Sequence, residues 1–185
     1  SGLESYFAID YVPGTGEILY SADKGGNEID HIYLLNENGE SKELTPGENE
    51  KAGFAGWSSD DQYMYYTSNK RDPRFFDVYK MSKDDWTSEM IYQNNDGLNL
   101  ASISHNEEYF ALQRSVTTSE NKLFLYDRNE DKMIEISNPD KPGNYNASGF
   151  SKDDRYFYYI TNADKEFAYL VQYDIKTTDR KVLYD

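Results

Sequence analysis

Four stretches of this chain restate one another at a nearly fixed interval, and that interval limits the fold more than any single residue does. Trp57-Ser-Ser-Asp-Asp-Gln-Tyr-Met-Tyr-Tyr66 returns as Phe150-Ser-Lys-Asp-Asp-Arg-Tyr-Phe-Tyr-Tyr159. Between them lies Ile103-Ser-His-Asn-Glu-Glu-Tyr-Phe-Ala-Leu112, and a worn first copy is Tyr11-Val-Pro-Gly-Thr-Gly-Glu-Ile-Leu-Tyr20. The lead residues 11, 57, 103 and 150 are spaced 46, 46 and 47 apart. A period in this range means one supersecondary unit used several times.

Each copy reads as four short strands. The first is rich in small residues, as in Ala52-Gly-Phe-Ala-Gly-Trp57 and Asn146-Ala-Ser-Gly-Phe150. The second is aromatic: Tyr63-Met-Tyr-Tyr-Thr67, Tyr109-Phe-Ala-Leu-Gln113 and Tyr156-Phe-Tyr-Tyr-Ile160. The third aligns in all copies as residues 32–36, 78–82, 123–127 and 170–174, and the fourth as 41–45, 89–92, 133–137 and 181–184. β-Branched and aromatic runs of this length, separated by turn residues, favour strands over helices. Asn38-Gly39 is a short-hairpin signal, and the Ser-x-Asp-Asp segments sit where Ser and Asp bond their own backbone. Lys83 to Ser88 is the one helical candidate, and it is too short.

Repeated four-stranded antiparallel units of 40–50 residues are the blades of a β-propeller. The expected fold is therefore all-β, with four blades near residues 4–48, 49–95, 96–141 and 142–185 of a single propeller segment. The first strands would line a central channel, and the aromatic strands would fill the space between blades. As it stands, the sequence opens on a first strand at Tyr6 and closes on a fourth at Lys181 to Asp185, with no strand left over to complete a shared blade. Four blades either close into a small ring or form an arc of a larger one with seven or eight. An arc exposes two blade faces, which favours self-association through those edges.

Composition narrows the partners. The formal net charge is −15, a field that opposes binding to nucleic acid or to anionic lipid. There is no cysteine, so disulfides, thiolate metal sites and thiol nucleophiles are excluded. No run approaches the roughly 18 apolar residues of a membrane span. The sequence does not decide between a cytoplasmic and a periplasmic or secreted location. No cofactor is implied.

The repeats resemble the blades of the propeller that precedes the catalytic domain in serine peptidases of the prolyl oligopeptidase family, which includes dipeptidyl and acylaminoacyl peptidases. The resemblance rests on Thr67-Ser-Asn-Lys-Arg-Asp-Pro-Arg-Phe-Phe-Asp-Val-Tyr79 and Asp164-Lys-Glu-Phe-Ala-Tyr-Leu170. The turns Ser58 to Asp61 and Ser151 to Asp154 are a commoner signature, shared with TolB-type propellers. The resemblance implies a non-catalytic, substrate-gating scaffold. Its partners would be the rest of the propeller and an α/β-hydrolase domain, with peptides as substrates of the full-length parent. No Gly-x-Ser-x-Gly elbow occurs in the chain, and no catalytic residue of the family can be carried over. The alternative is a stand-alone TolB-type propeller acting as a protein-interaction module.

Residue by residue, bland readings compete with chemical ones. His31 and His105 fall at different blade positions, which disfavours a catalytic or metal-binding pair. Asp60-Asp61 and Asp153-Asp154 occupy equivalent turns, read here as on the outer rim of one face. They read as turn formers rather than calcium ligands or a glycosidase pair. Gly14-Thr-Gly16 and Gly53-Phe-Ala-Gly56 precede no helix, so they are not phosphate loops. The exception is Asn69-Lys-Arg-Asp-Pro-Arg-Phe-Phe76, the most cationic stretch of an acidic chain. It reads as the loop between second and third strands of its blade. Arg71, Arg74, Phe75 and Phe76 form a candidate interface there, toward a neighbouring blade's carboxylates or a hydrolase domain. The competing reading is a solvated loop with Asp72 pairing an arginine locally.

Overall fold

The computed structural model describes residues Ser5 to Tyr184. The expected outer limits of the first and last blades, residue 4 and Asp185, lie outside the described residues. Every regular element among the described residues is a strand, and the sixteen strands form four antiparallel sheets of four. Blade 1 contains β1 (Tyr6–Tyr11), β2 (Ile18–Ala22), β3 (His31–Leu35) and β4 (Ser41–Glu43). Blade 2 contains β5 (Ala52–Trp57), β6 (Tyr63–Asp72), β7 (Phe75–Ser82) and β8 (Ser88–Tyr92). Blade 3 contains β9 (Asn99–Ile103), β10 (Tyr109–Ser115), β11 (Asn121–Asp127) and β12 (Lys132–Glu135). Blade 4 contains β13 (Tyr145–Phe150), β14 (Tyr156–Thr161), β15 (Tyr169–Asp174) and β16 (Arg180–Tyr184). Each sheet runs in chain order as a meander, the arrangement of a propeller blade.

The repeated sequence has a direct structural reason. In three blades the serine after the first strand closes the same turn. Ser58, Ser104 and Ser151 donate from Oγ to the side-chain oxygen of Asp60, Asn106 and Asp153, at 2.6, 2.8 and 2.6 Å. The same hydroxyls accept the backbone N–H of Tyr63, Tyr109 and Tyr156, each at 2.9 Å. The next position adopts left-handed backbone at Asp61, Glu107 and Asp154, with φ of 59°, 61° and 54°. Asp tolerates that region better than most residues. A bulge bends the first strand at Gly56 and Gly149, whose φ of 125° and 118° only glycine adopts without strain. Lys83 to Thr87 forms a turn and a short link into β8, with Trp86 at φ 60°, not a helix.

The chain divides into two compact units at Gly97 and Leu98. In the first, the core lies between blades 1 and 2. Leu19, Ile32, Met64, Tyr66, Tyr79 and Met81 are buried there. In the second, the core lies between blades 3 and 4. Leu123, Leu125, Ile136, Phe157, Tyr159 and Tyr173 are buried there. Each fully buried aliphatic or aromatic side chain contributes about 1.5–3 kcal/mol. Side chains from the second and third strands dominate both cores, as the aromatic runs predict. Polar latches fasten strand ends within each blade. Thr45 Oγ1 accepts the Ile32 N–H at 2.9 Å, and Ser137 Oγ accepts the Leu123 N–H at 3.3 Å. Asn69 and Asn162 play matching roles, accepting the N–H of Lys51 and Asn144 at 2.7 and 2.8 Å.

Candidate functional site

The cationic segment of blade 2 is not a loop. β6 continues to Asp72 and β7 begins at Phe75, so Pro73 and Arg74 alone make the turn. The pairing passes from Ser68–Asp77 to Asp72–Phe75, leaving Asn69, Lys70 and Arg71 opposite Phe76 in a wide bulge. The expected loop is thus corrected to a hairpin extension. Proline is tolerated because it stands at the turn, outside the ladder.

The bulge exists to settle charges. Asp77 is fully buried on β7, and Arg71 reaches it with two bonds, Nε to Oδ2 at 2.7 Å and Nη2 to Oδ1 at 2.9 Å. The same Nη2 donates to the Asn94 carbonyl at 2.7 Å. Asn94 returns its N–H to Asp77 Oδ1 at 2.8 Å and its amide to the Phe76 carbonyl at 3.1 Å. Bidentate pairing of this kind is the strongest geometry open to Arg and a carboxylate. The bond to Asp77 raises the Arg71 pKa above its usual value. The network ties the hairpin to the segment that leaves blade 2. The carboxylate that Arg71 meets belongs to its own blade.

Lys70 completes the cluster by donating to Tyr66 Oη at 3.2 Å while its ammonium lies 3.9 Å from the centre of the Tyr79 ring. Burial first, then the Asp77 charge, pushes the Tyr79 phenol up to about 12. At the tip, Arg74 bonds Asp72 through Nε and Nη2 at 3.0 and 2.7 Å. Those bonds hold the Asp72 carboxyl well below the usual range. The Arg74 guanidinium also lies 5.1 Å from the centre of the Phe75 ring. Arg74 is exposed, and Phe75 and Phe76 are half-buried.

The other singled-out residues take structural roles. His31 is buried against a Glu43 carboxylate oxygen. His105 Nδ1 lies 2.8 Å from Asp154 Oδ1. Asp154 also accepts the N–H groups of His105 and Asn106 at 2.9 and 2.7 Å, so it clamps blade 4 onto the first turn of blade 3. The sequence marked Asp154 as a turn former but held no sign of this second task. Asp60 and Asp153 are held below the usual carboxylate range chiefly by Ser58 and Ser151. Among the described residues no group of three or more His, Asp or Glu is placed to hold a metal ion. No helix among them is long and apolar enough to cross a membrane.

Sheets of this order and repeat define a β-propeller-class protein, and comparison with known proteins agrees. The sequence profile described as "Dipeptidyl peptidase IV (DPP IV) N-terminal region" matches residues 10–120, more than half of the chain. The chain belongs to that family. Among solved structures it is similar to prolyl oligopeptidase B from Galerina marginata, at 15% identity and a TM-score of 0.65, over 97% of this chain and 26% of the other. A puromycin-hydrolyzing peptidase of Mycobacterium tuberculosis gives 14% identity and 0.61, over 97% and 28%. TolB from Acinetobacter baumannii gives 13% and 0.59, over 97% and 57%. The chain thus spans about a quarter of the two peptidases and just over half of TolB. These likenesses establish the fold. No curated protein sequence matches the chain.

Proposed function

We propose that this chain is a non-catalytic, substrate-gating portion of the propeller in a prolyl oligopeptidase-type serine peptidase. In this reading its two units supply consecutive blades of one larger ring. The α/β-hydrolase domain belongs to sequence outside residues 1–185. The observation that carries this reading is the DPP IV N-terminal family match over residues 10–120. The likeness to two peptidase structures over 97% of the chain supports it. Exposed apolar side chains on β1 (Tyr6, Phe7, Tyr11) and β16 (Leu183, Tyr184) offer surface for further blades. The β6–β7 tip, with Arg71, Arg74, Phe75 and Phe76, is the proposed contact with the hydrolase domain. A complete ring would admit short peptides to a buried serine and exclude folded proteins.

The reading frame beyond Asp185 is the first test. Further blades followed by Gly-x-Ser-x-Gly, then Asp and His, are expected. The complete polypeptide should then cleave a proline-containing peptide, and Arg71→Ala with Arg74→Ala should lower kcat/KM. A stop codon soon after Asp185 would instead favour a stand-alone interaction module, the reading that the TolB likeness supports. If kcat/KM and stability are both unchanged in the double variant, the hairpin is not a contact.

A further inference from the structure

The wedge between blades 3 and 4 is open where its counterpart between blades 1 and 2 is filled. Strand register aligns the two without ambiguity. Tyr159 pairs Val171 as Tyr66 pairs Tyr79, and Val171 pairs Val182 as Tyr79 pairs Met90. Asn162 and Asn69 make the same bond to the incoming strand, so Ala163 stands where Lys70 does. Blade 2 closes its wedge with the Tyr66–Tyr79 stack, ring centres 5.1 Å apart, and Lys70 laid across it. Blade 4 has Val171 and Ala163 at those positions. Tyr145 and Tyr169 retake part of the space. What is left is a cleft of about 420 Å³.

The chemistry of its wall is specific. Arg180 takes the place of blade 2's Ser88, since Tyr173 pairs Arg180 as Met81 pairs Ser88. Ser88 accepts a bond from Tyr66 at 3.0 Å; Arg180 is bonded to Tyr159 instead. Its Nη2 donates a long bond, 3.3 Å, to the Ile136 carbonyl, and its guanidinium lies 5.2 Å from the centre of the Tyr173 ring. Among the described residues no carboxylate pairs with Arg180. Of the other charged residues in the lining, Glu135 is engaged with Lys122 at 3.2 Å and Lys141 with Asp164 at 2.6 Å. On the same strand face, Val171 is buried and Val182 half exposed, while the facing wall from blade 3 mixes Ile136 and Pro139 with Glu135, Asn138 and Lys141. A pocket of a few hundred Å³ that sets apolar side chains beside a few convergent polar and charged groups has the character of a small-molecule site.

We propose that this cleft binds a carboxylate carried on an aromatic or branched apolar stem. Arg180 takes the carboxylate, and Tyr145, Val171 and Val182 take the stem. A free acid and the C-terminal residue of a peptide share this chemistry.

The test uses the complete polypeptide that carries residues 1–185, titrated with N-acetyl-L-phenylalanine and with its carboxamide. Saturable binding of the acid with Kd of about 1 mM is expected for a ligand of this size. The amide should bind at least about tenfold more weakly, and Arg180→Gln should lose the acid by a similar factor. Arg180 lies on an exposed outer strand, so that variant should keep its fold. Val171→Tyr copies the filled state of blade 2 and should abolish binding. If it fails to fold, Arg180→Gln decides alone. Stronger binding of Ala-Ala-Phe than of the acetylated amino acid would identify a peptide C-terminus; weaker binding would identify a free acid. Equal binding of acid and amide, unchanged binding by Arg180→Gln, or no saturation below about 10 mM would each overturn the proposal.

Discussion

Blades 2 and 4 are built from the same repeat but close the outer part of their second-to-third strand connection in opposite ways. Blade 2 runs β6 out to Asp72 and holds the extension with ionic bonds. Blade 4 ends β14 at Thr161 and restarts at Tyr169, with residues 162–168 as a loop. At the paired position where blade 2 buries Asp77, blade 4 has Tyr169, whose hydroxyl bonds the Ala163 carbonyl at 3.1 Å. A buried carboxylate forces a long excursion, because it needs a cation and extra N–H donors. A tyrosine caps one carbonyl and lets the chain turn at once. One residue class at one register position thus decides between hairpin and loop.

The largest effect expected from this comparison comes from Asp77→Ala. It strips Arg71 and the Asn94 N–H of their common partner inside blade 2. Breaking one side of a buried ion pair costs about 3–5 kcal/mol. Chemical denaturation should show that loss. Tyr169→Phe removes only one neutral bond, worth about 1 kcal/mol. Equal losses from the two variants would mean that the ionic network is no more than a surface ornament.

The comparison also shows what a sequence yields and what it withholds. The strands were legible because each copy alternates aromatic or branched residues with turn residues, so β5 and β8 lie where the pattern puts them. The β6–β7 segment reads as a loop in sequence and is a hairpin extension in the structure. Four charges and a proline in eight residues look solvated until Asp77, one residue beyond, is seen to be fully buried. The pairing of Arg71 was readable as a possibility; the direction of the strand face that buries Asp77 was not. Of the candidate interface, Arg74 with Asp72 fits the local-pairing reading. The cleft beside Arg180 was out of reach. It depends on what Val171 and Ala163 lack relative to Tyr79 and Lys70, and only register aligns those pairs.

A smaller effect separates the blades at high pH. The Tyr79 phenol is raised to about 12 by burial beside Asp77, whereas Val171 at the matching place cannot ionise. A phenol whose folded pKa is raised stabilises the fold fully below the unfolded value near 10. That contribution is lost as pH climbs toward 12. Tyr79→Phe should therefore flatten part of the fall in melting temperature over that window. The buried Tyr145, Tyr159 and Tyr173, all raised chiefly by burial, would keep the rest. An alkaline limb identical to that of the parent would show that the phenol is solvated.

The smallest change expected is in Arg74→Ala, and it sharpens the comparison most. Arg71 and Arg74 stand three residues apart in the same hairpin, yet one braces a buried carboxylate and the other pairs an exposed tip. Asp72 gains its low pKa from Arg74, but both groups face water, where such pairs add little to stability. The melting temperature of Arg74→Ala should match the parent at neutral pH, while Arg71→Ala lowers it clearly. With stability unchanged, any fall in kcat/KM of the complete polypeptide reports contact by the tip itself. That separates a docking role for Arg74 and Phe75 from the structural role of Arg71. A fall in melting temperature for Arg74→Ala as large as for Arg71→Ala would erase the distinction between brace and tip.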